Sequence, residues 1–241
     1  MIARRPVLLL AALAIAVTLG AGEKKKGEKK DTAAKGAKTP ATWYARALVQ
    51  SDAGIIVWNY WSKGRKLRAE TIVGGTPILT LVSGEFYTIV DMLSQTGVAI
   101  RRAPEAIAAD QTRAKERPFG REGVDLIAKG AEFVRSETLS ERPTRLHRLT
   151  DDRGKTEIWL SDDKRKLPVR VIFYMRDSGA KSTIDYIDWI ADLPIPDAFF
   201  EPDPRAQLER VEYADYVNRS QTGSVGPAPV LFANLLHGDK R

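Results

Sequence analysis

Residues 54–75, GIIVWNYWSKGRKLRAETIVGG, set Trp58, Tyr60 and Trp61 ahead of four cations within six positions, Lys63, Arg65, Lys66 and Arg68, and then a second apolar run. Basic residues beside aromatics can neutralise phosphates and stack bases. The same stretch also reads as two strands joined by a basic turn. Its period favours the second reading. Ile56, Trp58 and Tyr60 alternate with Val57, Asn59 and Trp61, and Leu67, Ala69 and Thr71 alternate with Lys66, Arg68 and Glu70 across the turn SKGR. Glu70 answers the cations, and no nucleic-acid partner is expected. Both faces of the first strand carry apolar bulk, so one must be covered by other elements, left half exposed, or used to hold an apolar ligand.

Working outward, TWYARALVQ reads as a strand or a short helix, while PILTLV and FYTIVDML continue the strands between tight turns. This predicts an antiparallel meander whose sequence neighbours are spatial neighbours. Alanine and charged residues then replace β-branched ones: Pro104 opens a helix over about 105–116, and REGVDLIAKG reads as a second helix stopped by Gly130. Strands resume with AEFVRSETLS, TRLHRLTDD, KTEIWLSDD, KLPVRVIFYMRD and KSTIDYIDWIADL. In the last of these, Ile184, Tyr186, Asp188 and Ile190 share one side, and Thr183, Asp185, Ile187, Trp189 and Ala191 the other. A helix is expected from Pro204 to about Val217, followed by a linker and an apolar patch at Val230 to Leu236 that docks on the body or on a partner. About nine or ten strands with two or three helices imply a mainly β fold with α: a highly curved antiparallel sheet forming an unclosed β-barrel covered by helices.

The first 22 residues have the layout of a cleaved signal peptide: Arg4 and Arg5, an apolar run from Val7 to Leu19, then small residues. Residues 23–41 read as a Lys-rich linker expected to be disordered. The run 22–38 holds seven lysines and three acids, so much of the net charge of +7 lies outside the folded part. Residues 42–218 then form the folded domain and 219–241 a C-terminal extension. The composition includes no cysteine, which removes disulfides and thiolate chemistry.

Catalysis finds little support. His147 lies in an alternating strand and His237 near the C-terminus, neither in a metal-ligand spacing. Asp151/Asp152 and Asp162/Asp163 fall in turns without calcium-loop spacing, and no serine has a nucleophile context. The expectation is a non-enzyme with no metal and no cofactor. The aromatics carry more information. Trp58, Tyr60, Trp61, Phe86, Trp159, Phe173, Tyr186 and Trp189 are spread over the strands and are the candidates to line a hydrophobic cavity. Ordinary core packing is the alternative for each taken singly.

The order of a signal peptide, GIIVWNYWSKGRKLRAE, VSGEFYTIVDM, a helical excursion, EIWLSDDKRKLPVRVIF and IDYIDWIADLPIPDAFFEPDP resembles the LolA/LolB-like superfamily, the periplasmic carriers and receptors of outer-membrane lipoproteins. The resemblance covers roughly residues 43 to 205. It implies an unclosed β-barrel lidded by helices around a cavity for lipid or lipoprotein acyl chains, a periplasmic location, and inner-membrane donor and outer-membrane acceptor proteins. It also implies a lid-holding arginine after the basic turn, matched here by Arg68 or Arg65, since the proline usual in that turn is missing. The family's closing segment is matched by Phe199, Phe200, Pro202 and Pro204. An interaction module of the same fold, its cavity filled by its own side chains, is the alternative.

Overall fold

The structure, a computed structural model, describes residues 41–52 and 54–238. The expected signal peptide, and the linker up to residue 40, lie outside the described residues. Strands β1 (Thr42–Ser51), β2 (Gly54–Lys63), β3 (Lys66–Val73), β4 (Thr76–Ser83), β5 (Phe86–Asp91) and β6 (Thr96–Arg101) form the first meander. Helices α1 (Pro104–Thr112) and α2 (Glu122–Ala128) follow it. The second run is β7 (Glu132–Leu139), β8 (Arg142–Asp151), β9 (Gly154–Ser161), β10 (Pro168–Met175) and β11 (Lys181–Ala191). A 3-10 turn (Asp197–Phe200), β12 (Gln207–Val211), α3 (Tyr213–Ser220) and α4 (Asn234–His237) complete the chain.

All twelve strands belong to one sheet, ordered β12-β6-β5-β4-β3-β2-β1-β11-β10-β9-β8-β7. Laid flat at about 4.8 Å per strand, it would be about 53 Å wide. Yet Tyr87, Ile89, Val98 and Ile100 near one edge share a core cluster with Ile158, Leu160, Val171 and Tyr186 near the other. One face can meet itself only if the sheet is strongly curved. Because β12 and β7 do not pair with each other, the curve does not close. The architecture is the expected unclosed β-barrel, with α1, α2 and the C-terminal segment over its concave face.

The register explains which side chains reach that face. Tyr60 lies between Ala45 on β1 and Ala69 on β3, and Ala47 lies between Trp58 and Tyr186. These alanines are fully buried and leave room for the rings beside them. The outer face is covered more sparsely. Leu146, Trp159, Val169 and Ile172 form one patch, and Leu79, Leu81 and Val90 another, the latter joined by Ala206 and Leu208.

Three features depart from the sequence reading. Residues 96–101 form β6, an additional strand beside the alanine-rich helix. Of the helix expected from Pro204 to about Val217, only residues 213–217 are helical, in α3; residues 207–211 are instead strand β12, running parallel to β6 from Gln207↔Thr96 to Val211↔Ile100, so the sheet is not wholly antiparallel. Here tertiary pairing overrides local helix propensity: β6 offers an open edge, Leu208 packs into the outer cluster and Val211 into the core. Third, β11 carries a bulge. Arg46 pairs with Asp188 but Ala47 with Tyr186, so Ile187 is the extra residue and Trp189 returns to the face of Tyr186.

Deleting Ile187 would remove the bulge and set Trp189 two positions after Tyr186, so a regularly alternating strand would keep both rings on the concave face. We expect only a small loss, about 1 kcal/mol or a fall of roughly 2–4 °C in melting temperature, with the near-UV circular dichroism of the packed indole retained. Thermal unfolding measures the first and spectroscopy the second.

Candidate ligand site on the concave face

The concave face bears a chain of aromatic rings. Tyr60 packs on Trp58 at 5.9 Å, on Phe119 at 5.2 Å and on Phe232 at 5.6 Å between ring centres. Phe119 continues to Trp189 at 5.8 Å, and Trp189 stacks on Tyr186 at 5.0 Å. Such pairs contribute about 0.5–1.5 kcal/mol each beyond the area they bury. Two of the rings do not belong to the sheet. Phe119 comes from the segment joining α1 to α2, and Phe232 from the C-terminal segment.

The Phe119 segment is held in place by Arg117. Its guanidinium lies 5.0 Å from the rings of both Trp43 and Trp189, and it donates to the carbonyls of Phe119 at 3.1 Å and Gly120 at 2.8 Å. Gly120 has a φ of +64°, and a Cβ there would stand 2.2 Å from the Trp189 ring. Glycine is therefore required both by backbone conformation and by contact. Two residues on, Glu122 accepts a hydrogen bond from the Tyr186 hydroxyl at 2.8 Å through Oε1, while its buried Oε2 has no hydrogen-bond partner. Burial raises the Glu122 carboxyl above its usual range, and Tyr60 and Tyr186 are raised as well, first by burial and then by the nearby Glu122 charge.

The C-terminal segment acts as a strap. Val225, Ala228, Leu235 and Leu236 are buried, with Val230, Leu231 and Phe232 packed against the same cluster. The Tyr87 hydroxyl donates to the Leu231 carbonyl and accepts from the Leu231 amide at 2.7 Å. Arg102, only 2% exposed, donates through Nε to the Leu235 carbonyl at 2.6 Å, and the Ala103 amide donates to the Leu236 carbonyl at 2.9 Å. Residues 219–241, set apart by the sequence reading as an extension, therefore supply part of the core through residue 236.

Helix α1 is fastened by one carboxylate between two guanidinia. Asp110 Oδ1 accepts from Arg65 Nε at 3.1 Å and Oδ2 from Arg102 at 2.7 Å. Arg102 also reaches the carbonyls of Gly84 at 2.7 Å and Ala106 at 3.3 Å. The clasp thus ties the β2–β3 turn, the β4–β5 turn, α1 and the strap together. Arg65 and Arg68, the two lid arginines left open by the sequence, part company here. Arg65 meets the helix, whereas Arg68 lies on the outer face, paired with Glu70 at 2.6 Å and over the Phe199 ring at 4.4 Å.

Of the eight aromatic candidates, Trp58, Tyr60, Phe173, Tyr186 and Trp189 belong to the concave cluster. The other three face outward, as period two requires for their positions. Trp61 packs with Tyr44 and Phe199, Phe86 lies beneath Arg210, and Trp159 sits in the outer cluster with its indole nitrogen donating to Glu137 at 2.6 Å. Phe119, Arg102, Tyr87 and the strap were not among the candidates. A hint of Phe119 was present in RPFG, an aromatic between two turn formers.

The space over the concave face is occupied by Phe119, Phe232, Leu235 and Leu236. Grooves lie instead around the rim. One of about 550 Å³ separates α1 from the start of α3, one of about 410 Å³ runs along the outer face by Phe86, Phe200 and Leu208, and one of about 250 Å³ borders the β2–β3 turn. No helix among the described residues is long and apolar enough to cross a membrane.

No family model and no curated protein matches the chain. Solved structures that it resembles include an uncharacterised conserved protein of Thermus thermophilus, with a TM-score of 0.48 and 11% identity over 70% of this chain and 90% of that one. Another is a chain of the Pseudomonas aeruginosa MucA/MucB complex, with a TM-score of 0.43 and 11% identity over 71% of this chain and 59% of that one. A third is the Mycobacterium tuberculosis lipoprotein LppX, with a TM-score of 0.36 and 8% identity over 66% of this chain and 90% of that one. At these values the likeness says nothing of what the chain binds.

Two substitutions test the covering. Asp110→Ala leaves Arg65 and Arg102 buried without their carboxylate and should cost about 3–5 kcal/mol, read by chemical denaturation. Glu122→Gln should stabilise. A carboxyl raised in the folded state carries no penalty while both states are protonated and loses stability once the unfolded state ionises. The gain, about 1 kcal/mol or some 2–4 °C at pH 7, should therefore vanish as pH falls below about 4.

Proposed function

We propose that the chain is an exported, non-catalytic carrier or binder of the acyl chains of lipids or lipoproteins in the periplasm of a Gram-negative envelope. Its ligand site is the aromatic concave face, and the strap occupies that site in the ligand-free form. One observation carries the reading: the strap contributes side chains to the core but is not a strand of the sheet. Its described polar ties to the barrel include those from Tyr87, Arg102 and Ala103. A cover of this kind can leave while the strand ladder stays intact. An acyl chain that takes its place stays out of water, worth about 0.8 kcal/mol per methylene.

Binding then competes with the strap, and the apparent affinity is the intrinsic one reduced by the fraction of molecules whose strap is open. The delipidated chain should take up a fluorescent fatty acyl probe saturably at micromolar concentration. Phe232→Ala should tighten uptake about tenfold by favouring the open form, and Tyr60→Ala should weaken it. Absence of saturable uptake in both the parent and Phe232→Ala would remove the proposal.

The filled interior favours a second reading, a non-catalytic interaction or regulatory domain whose concave face is simply its core. In that case a folded protein shows no uptake, and mass spectrometry finds no lipid released on denaturation.

A further inference from the structure

Strand β7 ends the sheet and has β8 on one side only. The β7–β8 hairpin turns through Ser140 and Glu141, with φ of 48° and 61°. This two-residue turn makes Leu139 and Arg142 a hydrogen-bonded pair. Counting back by twos, Arg135, Glu137 and Leu139 direct their backbone groups toward β8. In agreement, the Glu137 carbonyl accepts from the Thr144 hydroxyl at 2.8 Å. Ser136 and Thr138 therefore direct theirs away from the sheet, where no described strand lies. The opposite edge differs: β12 has five residues and runs directly into α3, whose Arg219 holds Glu209 at 2.7 Å.

The side chains on β7 restrict what can pair there. Arg135 and Glu137 sit two residues apart on the outer face and already pair with each other at 3.1 Å. In an antiparallel second copy centred on Ser136, Arg135 would stand opposite the partner subunit's Glu137, and Glu137 opposite the partner subunit's Arg135. Each carboxylate would then lie between two guanidinia. Centring on Arg135 or Glu137 would instead set like charges against each other. Ser136, small and exposed, meets itself on the axis, and its outward amide and carbonyl exchange bonds with the same groups of the partner. We propose that two copies of this chain pair through β7, antiparallel about Ser136, joining two barrels into one continuous sheet by a two-fold contact. This assignment is independent of what the concave face holds.

Sedimentation velocity on the full chain, from roughly 1 µM to 1 mM, brackets the affinity of an interface this small. The expected result is a concentration-dependent dimer. Ser136→Pro removes only an outward-facing amide, a position at which edge strands tolerate proline, so the subunit should keep its melting temperature while dimerisation weakens at least about tenfold. Arg135→Glu alone and Glu137→Arg alone should each weaken it similarly, whereas the double exchange should restore it to within about threefold. A chain that stays monomeric throughout overturns the proposal. So does a dimer indifferent to Ser136→Pro, or one that the charge exchange fails to rescue.

Discussion

A sheet this wide with one continuous apolar face must be covered, and most of the molecule follows from that requirement. The concave face presents Trp58, Tyr60, Tyr87, Ile89, Ile100, Ile158, Val171 and Tyr186. Left in water, each large side chain would forgo about 1.5–3 kcal/mol. Curling brings the two halves of the face together but leaves the barrel mouth and the gap between β12 and β7. Helices α1 and α2 have only nine and seven residues and cannot fill both. Phe119 fills part of the remainder, and the strap fills the rest.

Such a cover has to be held without becoming part of the ladder, and the chain does this with side-chain donors to backbone carbonyls. Arg102 suits that role because its planar guanidinium serves Leu235, Gly84, Ala106 and Asp110 together, which a lysine ammonium could not match in geometry. Burying that charge is tolerable because carbonyls and a carboxylate accept its donors. The same economy explains why Asp110 serves two arginines. Removing it strands both, so the clasp behaves as one cooperative unit rather than three separate contacts.

How much of this could be read from the sequence depended on where its period was regular. Strands β2 and β3 alternate without interruption, and the faces of Trp58, Tyr60 and Trp61 were legible from spacing alone. Trp189 was not, because the bulge at Ile187 shifts the count by one and nothing in KSTIDYIDWIADL marks it. Strand β12 escaped because five residues are too few to separate a period of 2 from one of 3.6. The patch at Val230 to Leu236 was legible as a segment that docks, and it docks on the body, but its seat on the concave face and the role of Arg102 escaped for a different reason. The contacts that seat the strap join residues more than 130 positions apart, as with Arg102 and Leu235 or Tyr87 and Leu231, and local pattern carries no trace of such contacts.

Strap and acyl chain are physically comparable occupants. A saturated chain of about fifteen carbons gains on the order of 10 kcal/mol on leaving water. The strap's buried leucines and valine, together with its partly buried Phe232, Leu231 and Val230, gain an amount of the same order. In the proposed carrier two occupants of similar apolar worth would compete for one face, and the outcome would turn on two opposing terms: the hydrogen bonds of Tyr87 and Arg102 that hold the strap, and the entropy of freeing about a dozen residues when it leaves. A near balance of this kind would suit the proposed carrier, which would have to both take up and release its cargo without chemical energy. A deep empty cavity would meet the first need better than the second, since nothing within the protein would reclaim the apolar face when the ligand left.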